Sequence, residues 1–491
     1  MLSLDNLNSW NSDWSQLRVV VYGVGVSGFS VADTLQELGA ELLVVAEKID
    51  GQHADLLSVL GIRTVVGKVS ESTIDEVSNF APQVIVVSPG VKPDDSLIVW
   101  CASNGISIWG DIDLAWRVRD KITPAAEWIL ITGTNGKTTT TQLVEQMLIA
   151  GGKRAIACGN IGLPVLDAVR NPEGFDFLVV EISSFQLHYM SAPVPLVSAL
   201  LNIAEDHIDW HGTFAKYIEA KAKVYQGAKK AIVYNVEDEL TIDLMKEADV
   251  ASEDTLAVGF TKGFPADLQV GYVEDSLIDR AFFPYRAKEL PEISNHDEIG
   301  RIGVVTPHLL SNVAAATAIA RACEISPTAI SQAIQSFKMD RHRIEFVANQ
   351  SGVLWFDDSK ATNAHAAEAS LKSFDSIVWV VGGLLKGVDI APLIERNASR
   401  IKTAIVIGED RTAVLEALKK CGPSIEVIEI TEVDKSKIMT RVVEAARTVA
   451  ISGDVVLLAP AAASMDQFKD YADRGKQFAD AVLRLNGGQI G

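Results

Sequence analysis

An apolar run, Trp128-Ile129-Leu130-Ile131, leads through Thr132 into Gly133-Thr134-Asn135-Gly136-Lys137-Thr138-Thr139, and the apolar residues that follow, Leu143, Val144, Met147 and Leu148, recur at helical spacing. Strand, glycine turn, Lys-Thr-Thr and helix in that order describe a phosphate-binding loop. The glycines let backbone N–H groups turn toward phosphate oxygens, Lys137 can lie along the β/γ-phosphates and the Thr138 hydroxyl can ligate magnesium, while the helix adds its positive N-terminal end. The spacing is shorter than the general GxxxxGK[ST] pattern, because Ile131 stands where its first glycine would be. A loop of this kind belongs at the carboxyl end of a mostly parallel sheet.

Two further strand-like runs, Phe177 to Val180 and Ser198 to Ile203, end in Glu181 and in Glu205-Asp206-His207. A carboxylate at the end of such a strand can reach a metal held at the neighbouring phosphate loop. Taken without that neighbour, Glu181 serves equally well as a helix cap or an ion-pair partner. His207, close to Trp210-His211, reads as a hydrogen-bonded structural histidine more often than as a ligand.

At 491 residues the chain exceeds one ordinary core and suggests about three domains. The first, 1–124, opens with Leu17 to Tyr22 running into Gly23-Val24-Gly25-Val26-Ser27-Gly28 and a helical pattern through Leu38, followed by β-rich runs at Leu42 to Val45, Thr64 to Val66 and Val84 to Val87. The second, 125–338, holds the phosphate loop. The third, 339–491, has strand-like runs at Val353 to Phe356, Ile377 to Val381, Ala404 to Ile407 and Val455 to Leu458. The expected fold is α/β: a Rossmann-like first sheet, a central P-loop ATPase-like and mostly parallel sheet, and a Rossmann-like last sheet.

Hydrophobic residues make up 48% and charged residues 22%, without an uninterrupted apolar run long enough to span a bilayer. The N-terminus lacks a signal-peptide pattern, so a cytoplasmic enzyme is expected. Four scattered cysteines suggest neither a disulfide framework nor a zinc site. A formal net charge of −20 disfavours nucleic acid as a partner. The GxGxxG turn at Gly23 to Gly28 usually reads as NAD or FAD binding, with an acid about 20 positions on; Glu47 is available, preceded by Ala46. A redox enzyme would leave the phosphate loop unexplained, which favours a nucleotide-linked substrate in the first domain.

The loop Gly133 to Thr139 resembles the ATP loop of the Mur ligases, which build the peptide stem of bacterial peptidoglycan. The resemblance continues through Gly159-Asn160-Ile161-Gly162, Glu181-Ile182-Ser183-Ser184-Phe185-Gln186-Leu187, Asn202 to His207, Asp358-Ser359-Lys360-Ala361-Thr362-Asn363 and Ser464-Met465-Asp466-Gln467-Phe468, ending at Tyr471 and Arg474-Gly475. It covers essentially the whole chain, and it is narrowest to the D-glutamate-adding branch. Departures from the family pattern fall at Ala46, Leu309 and Ala462.

The resemblance implies ATP and two magnesium ions. Gly133 to Thr139, with Asn312, Arg343 and Asp358, would bind ATP between the central and last domains. Thr138 and Glu181 would hold one magnesium. His207 and Lys221 would help to hold the second, with Lys221 carrying a carbamate. Residue pattern alone gives Lys221 as a solvated helix lysine; the carbamate comes from the resemblance. Lys137, Glu181, His207 and Lys221 would form the catalytic set.

Ser27, Glu47, Gly90, Asn160, Ser183 and Gln186 would bind the uridine-diphosphate substrate, and Thr362, Lys386, Ser464, Met465 and Tyr471 would bind D-glutamate. The implied reaction is ATP-dependent ligation of D-glutamate to UDP-N-acetylmuramoyl-L-alanine through an acyl phosphate, by a monomer whose last domain swings during the cycle. Rival readings are another Mur-type ligase, such as the L-alanine-adding enzyme, a folylpolyglutamate synthase, and an NAD(P)-binding oxidoreductase built on Gly23 to Gly28.

Overall fold

The computed structural model describes residues 4–282, 292–339 and 341–484. Runs of valine, isoleucine and leucine without polar alternation form strands buried on both faces, the pattern of a parallel sheet covered by helices. In the first sheet β1 (Arg18–Tyr22), β2 (Glu41–Ala46), β3 (Arg63–Val66), β4 (Val84–Val87) and β5 (Ser107–Gly110) run parallel in the order β3-β2-β1-β4-β5. Chain direction across the sheet reverses between β1 and β4. The GxGxxG turn leaves β1 there, and the Ser88 hydroxyl after β4 donates to the Gly23 carbonyl at 2.8 Å. Gly28 has to be glycine, since a Cβ would overlap the Gly23 carbonyl oxygen.

The central sheet contains β6 (Glu127–Thr132), β7 (Ala155–Gly159), β8 (Phe177–Glu181), β9 (Val197–Leu200), β10 (Ala231–Asn235), β11 (Leu256–Phe260), β12 (Gln269–Val273), β13 (Ser276–Asp279) and β14 (Glu292–Asn295). Their order is β14-β13-β12-β11-β10-β9-β6-β8-β7, parallel from β7 across to β12 and antiparallel at β13 and β14. β6 lies between β8 and β9, so the loop that follows it opens at a reversal of strand order, where such sheets bind ligands. The helix Lys137–Ala150 buries Leu143, Val144, Met147 and Leu148 completely. Each contributes about 1.5–3 kcal/mol toward holding the helix against the sheet. The strand expected over Ser198 to Ile203 ends at Leu200; Leu201 still donates to the Thr132 carbonyl but its own carbonyl accepts from the Asn235 side chain at 3.0 Å, and the next residue turns to the phosphate loop.

The last sheet contains β15 (Glu345–Gln350), β16 (Val353–Asp357), β17 (Ile377–Gly382), β18 (Ile401–Ile407), β19 (Glu426–Glu429) and β20 (Val455–Leu458), in the order β15-β16-β20-β17-β18-β19 and parallel except at β15. One face packs Trp379, Val381, Leu371, Leu393 and Leu418. The other packs Trp355, Val380, Met439, Val442 and Phe478. The three-sheet α/β architecture expected from the sequence is present.

By contacts the chain divides into two compact units. One holds Met1–Ile203, Ala215–Asn295 and Asn312–Ile334; the other holds Ala204–Phe214, His296–Ser311 and Gln335–Gly491. The first and central sheets thus share a unit. Within it Ser30 Oγ donates to Asp167 at 2.5 Å, Arg170 pairs with Asp33 at 2.6 Å and with Glu37 at 2.8 Å, and Gln186 Nε2 donates to Asp111 at 3.0 Å. Among the described residues no helix is long and apolar enough to cross a membrane.

Candidate functional site

The turn after β6 is shaped by Gly136, whose φ of +82° lies in the left-handed region. A Cβ there would overlap Asn312 Oδ1 and stand 3.2 Å from its Cγ, so the Asn312 amide reaches the loop. Lys137 Nζ folds back to donate to the carbonyls of Gly133 at 2.8 Å and Thr134 at 3.0 Å. Thr138 and Thr139 are buried in the first turn of the following helix. The N–H groups of that turn have no carbonyl partner within the helix and form the anion-binding end.

Strand register brings the expected metal residue to this loop. Glu181 lies opposite Ile131 in the β6–β8 ladder and is 2% exposed. Its Oε1 accepts from Asn160 Nδ2 at 2.8 Å, whereas Oε2 is buried without a hydrogen-bond partner among the described residues. Leaving such an oxygen unsatisfied costs about 1–3 kcal/mol. A buried carboxylate with one oxygen engaged and the other open, next to a Lys-Thr phosphate loop, fits a hard divalent cation. Among the described residues Glu181 forms neither a helix cap nor an ion pair.

Lys221 overturns the plain reading of its sequence context, for it is 1% exposed rather than solvated. Its Nζ donates to Thr132 Oγ1 at 3.1 Å and to the Gly133 carbonyl at 2.9 Å, and it stands 5.1 Å from the centre of the Tyr217 ring. Thr132 in turn donates to the Ile182 carbonyl at 2.7 Å, so one hydroxyl joins the lysine to the strand end that carries Glu181. Tyr217, missed in the sequence, also bonds Thr134 Oγ1 at 2.8 Å. Gly133 to Thr139, Asn160, Glu181, Lys221 and Asn312 therefore lie within one unit.

The first domain places Ser27 in the first turn of the helix Val26–Glu37, within the GxGxxG stretch, the exposed Glu47 just beyond β2, and the exposed Gly90 beyond β4. All three belong to the carboxyl-end rim. Ser183 and Gln186 are occupied differently. They form the capping box of the helix Ser184–Tyr189, and the Gln186 amide also donates to Asp111, whose carboxyl group burial pushes up to about 6.

In the other unit Asp206, Asn363 and Lys386 meet. Asp206 accepts from Asn363 Nδ2 at 3.2 Å and from Lys386 Nζ at 3.4 Å. His207 follows with φ +55°, its side chain partly exposed. The loop that carries Lys386 bonds the loop that carries Ser464 through the paired backbones of Leu384 and Ala463 at 2.9 Å. Ser464 is buried, while Met465 is 69% exposed. Thr362 precedes the Asn363 cap of the helix Ala364–Leu371. Tyr471 opens the last helix, and its carbonyl accepts from Ser359 Oγ at 2.7 Å.

Behind this rim the fully buried Arg474 donates to Ser359 Oγ, the Ser359 carbonyl and the Ala462 carbonyl, binding the loops after β16 and β20. Burial holds its guanidinium down to about 10. Asp358 accepts from the Ile344 N–H at 3.2 Å and from Ser370, with the Arg343 charge favouring its carboxylate; burial outweighs these and pushes it up to about 7. The sequence offered no signal for Arg474 beyond its place in the final motif. Asp206 stood in the Glu205-Asp206-His207 cluster without a role.

Family models match in chain order: the Mur ligase MurD-like N-terminal domain over residues 17–110, the Mur ligase middle domain over 131–320, and the Mur ligase glutamate ligase domain over 342–462. A UDP-N-acetylmuramoylalanine–D-glutamate ligase of Leifsonia xyli subsp. xyli is 48% identical over 493 residues, covering 98% of this chain and 95% of its own. The protein of that name from Streptomyces avermitilis is 43% identical over 478 residues, covering 96% and 99%. A solved pseudomurein peptide ligase type C from Methanothermus fervidus shares the fold, with a TM-score of 0.56 at 17% identity over 96% of this chain and 100% of that one.

Proposed function

The chain belongs to the Mur ligase family, and from that premise we propose that it ligates D-glutamate to UDP-N-acetylmuramoyl-L-alanine with conversion of ATP to ADP and phosphate. It is a peptide-bond-forming ligase of peptidoglycan precursor synthesis. The observation that carries the reading in the site is the phosphate loop flanked by the open buried oxygen of Glu181 and the buried Lys221.

The substrate carboxylate attacks the γ-phosphorus, the bond to ADP breaks, and an acyl phosphate forms. The neutral amine of D-glutamate then attacks the acyl carbon, inorganic phosphate leaves, and the nitrogen loses a proton. Phosphoryl transfer of this kind needs positioned positive charge rather than a nucleophilic side chain. Lys137 and the N–H groups of the helix Lys137–Ala150 hold the phosphates, and Asn312 approaches from beside Gly136. Thr138 and Glu181 hold a magnesium ion, which when bound supplies positive charge against the phosphate oxygens.

In this reading a second ion takes His207 and a carbamylated Lys221. The carbamate nitrogen keeps one N–H for Thr132 or Gly133, the two acceptors that Lys221 Nζ already faces. Arg343 reaches across to ATP, and Asp358 lies near its nucleoside. Ser27, Glu47, Gly90 and Asn160 serve the uridine-diphosphate substrate, with Ser183 and Gln186 shaping that region. Thr362, Lys386, Ser464, Met465 and Tyr471 serve D-glutamate; a lysine with hydroxyl donors suits a dicarboxylate. The corresponding domains are 1–124, 125–338 and 339–491. The protein works as a monomer in the cytoplasm, where ATP is supplied.

The test is phosphate release and product mass with ATP, magnesium, UDP-N-acetylmuramoyl-L-alanine and a panel of amino acids. Turnover should require D-glutamate. Turnover with L-glutamate or L-alanine and none with D-glutamate would sink the assignment.

A further inference from the structure

β9 ends beside β6, and the residue two positions beyond it makes a reciprocal contact with the phosphate loop. Asn202 Oδ1 accepts from the Asn135 N–H at 2.8 Å, and Asn202 Nδ2 donates to the Asn135 carbonyl at 3.0 Å. The Asn202 carbonyl accepts from the Thr134 N–H at 3.0 Å. One side chain thus brackets both polar groups of one loop residue, as a strand partner would, while its backbone takes the neighbouring donor.

The anchor is itself held from the far side. Asn235 Nδ2 donates to the Leu201 carbonyl at 3.0 Å, and the Ile203 N–H donates to Asp238 Oδ2 at 2.8 Å. Leu201 N–H donates to the Thr132 carbonyl at 2.9 Å, which continues the β6–β9 ladder to the foot of the loop. Asn202 is therefore held by contacts within the protein alone.

We infer that Asn202 is a positioning residue for ATP, clamping the phosphate loop in its binding shape. The inference rests on the ligase reading only in naming ATP as the ligand. It also divides the loop's donors. The N–H groups of Thr134 and Asn135 are engaged by Asn202, so phosphate recognition falls to Gly136 and to the first turn Lys137, Thr138 and Thr139. Only an amide side chain of this length offers both an acceptor and a donor to one peptide residue. Aspartate keeps the acceptor and turns the donor into a second acceptor facing a carbonyl oxygen.

MgADP titrated calorimetrically into the full-length chain tests the clamp, with UDP-N-acetylmuramoyl-L-alanine titrated in parallel. Asn202→Ala should weaken MgADP binding at least about tenfold, and Asn202→Asp more than Asn202→Ala. Affinity for the uridine-diphosphate substrate should stay within about twofold, because its first-sheet contacts do not include the loop. Unchanged MgADP affinity in both variants overturns the proposal, as does equal weakening of the two ligands, which a general loss of structure would cause. If neither variant folds, Asn202→Ser decides by the same comparison: selective loss of MgADP affinity supports the clamp and an unchanged value overturns it. The ligase reading stands separately, on D-glutamate-dependent phosphate release by the unaltered chain.

Discussion

Replacing Gly136 with alanine combines two penalties that can be separated. The residue sits at φ +82°, where an L side chain costs roughly 1–2 kcal/mol. The added methyl would also overlap Asn312 Oδ1, an overpacking penalty of about 1–3 kcal/mol unless the amide turns away. Together they amount to about 3 kcal/mol. If the loop must keep this shape to bind, Gly136→Ala should weaken MgADP binding on the order of 100-fold. In an Asn312→Ala background only the backbone penalty remains, so the same substitution should weaken binding about tenfold there. Calorimetric titration of the four proteins gives the coupling directly, expected at about 1 kcal/mol or more. An equal effect of Gly136→Ala in both backgrounds would refute the placement of Asn312 against the loop.

Glu181→Gln keeps the bond with Asn160 and removes the charge at the open oxygen; phosphate release should fall at least about 100-fold with the melting temperature within a few degrees of the parent. Near-parental turnover would remove Glu181 from the metal site. Lys221→Met preserves the buried stem and discards the ammonium, and it should lower turnover on the order of 1,000-fold, with partial recovery when a small carboxylic acid is added; full activity of the variant would exclude any role for a modified lysine. Asp358 binds its proton more tightly when folded, since burial raises it from 3.8 to about 7. Its contribution to stability is complete below the ordinary aspartate range and is lost as pH rises through about 7, a change worth roughly 4 kcal/mol at most. Thermal melts from about pH 5 to about pH 8 should therefore fall less steeply for Asp358→Asn, and parallel curves would contradict the burial argument.

The phosphate loop, both glycine turns and inner strands such as β4 and β6 were legible because their signals are local: apolar runs at Val84–Val87 or Trp128–Ile131 bury on both faces wherever they are placed, whereas β10 and β11 of the central sheet were not named. The family was legible because its motifs lie in one order along the chain. Lys221 was not legible as a buried residue, since lysine carries a strong expectation of solvent. A signal existed nonetheless. Tyr217, Ala220, Lys221 and Val224 fall at the spacing of one buried helical stripe, and all four are buried. Asn202 and Asp206 were hidden for another reason: their partners, Asn135 and Lys386, lie far away in sequence, and only the sheet order and loop pairing bring them together. Strands such as β19, whose residues Glu426–Glu429 are mostly exposed at a sheet edge, lack the continuous apolar run that marked the inner ones.

The Gln186 amide makes the start of one helix and the seam between two sheets a single object. Its oxygen completes the cap with Ser183, and its nitrogen holds Asp111 across the seam. Fraying the helix end releases the seam, and parting the seam loosens the cap. The amides at the start of Ser184–Tyr189 and of Asp111–Arg117 should then open to solvent deuterium as one cooperative unit, at one shared rate, although 75 positions of chain separate Gln186 from Asp111.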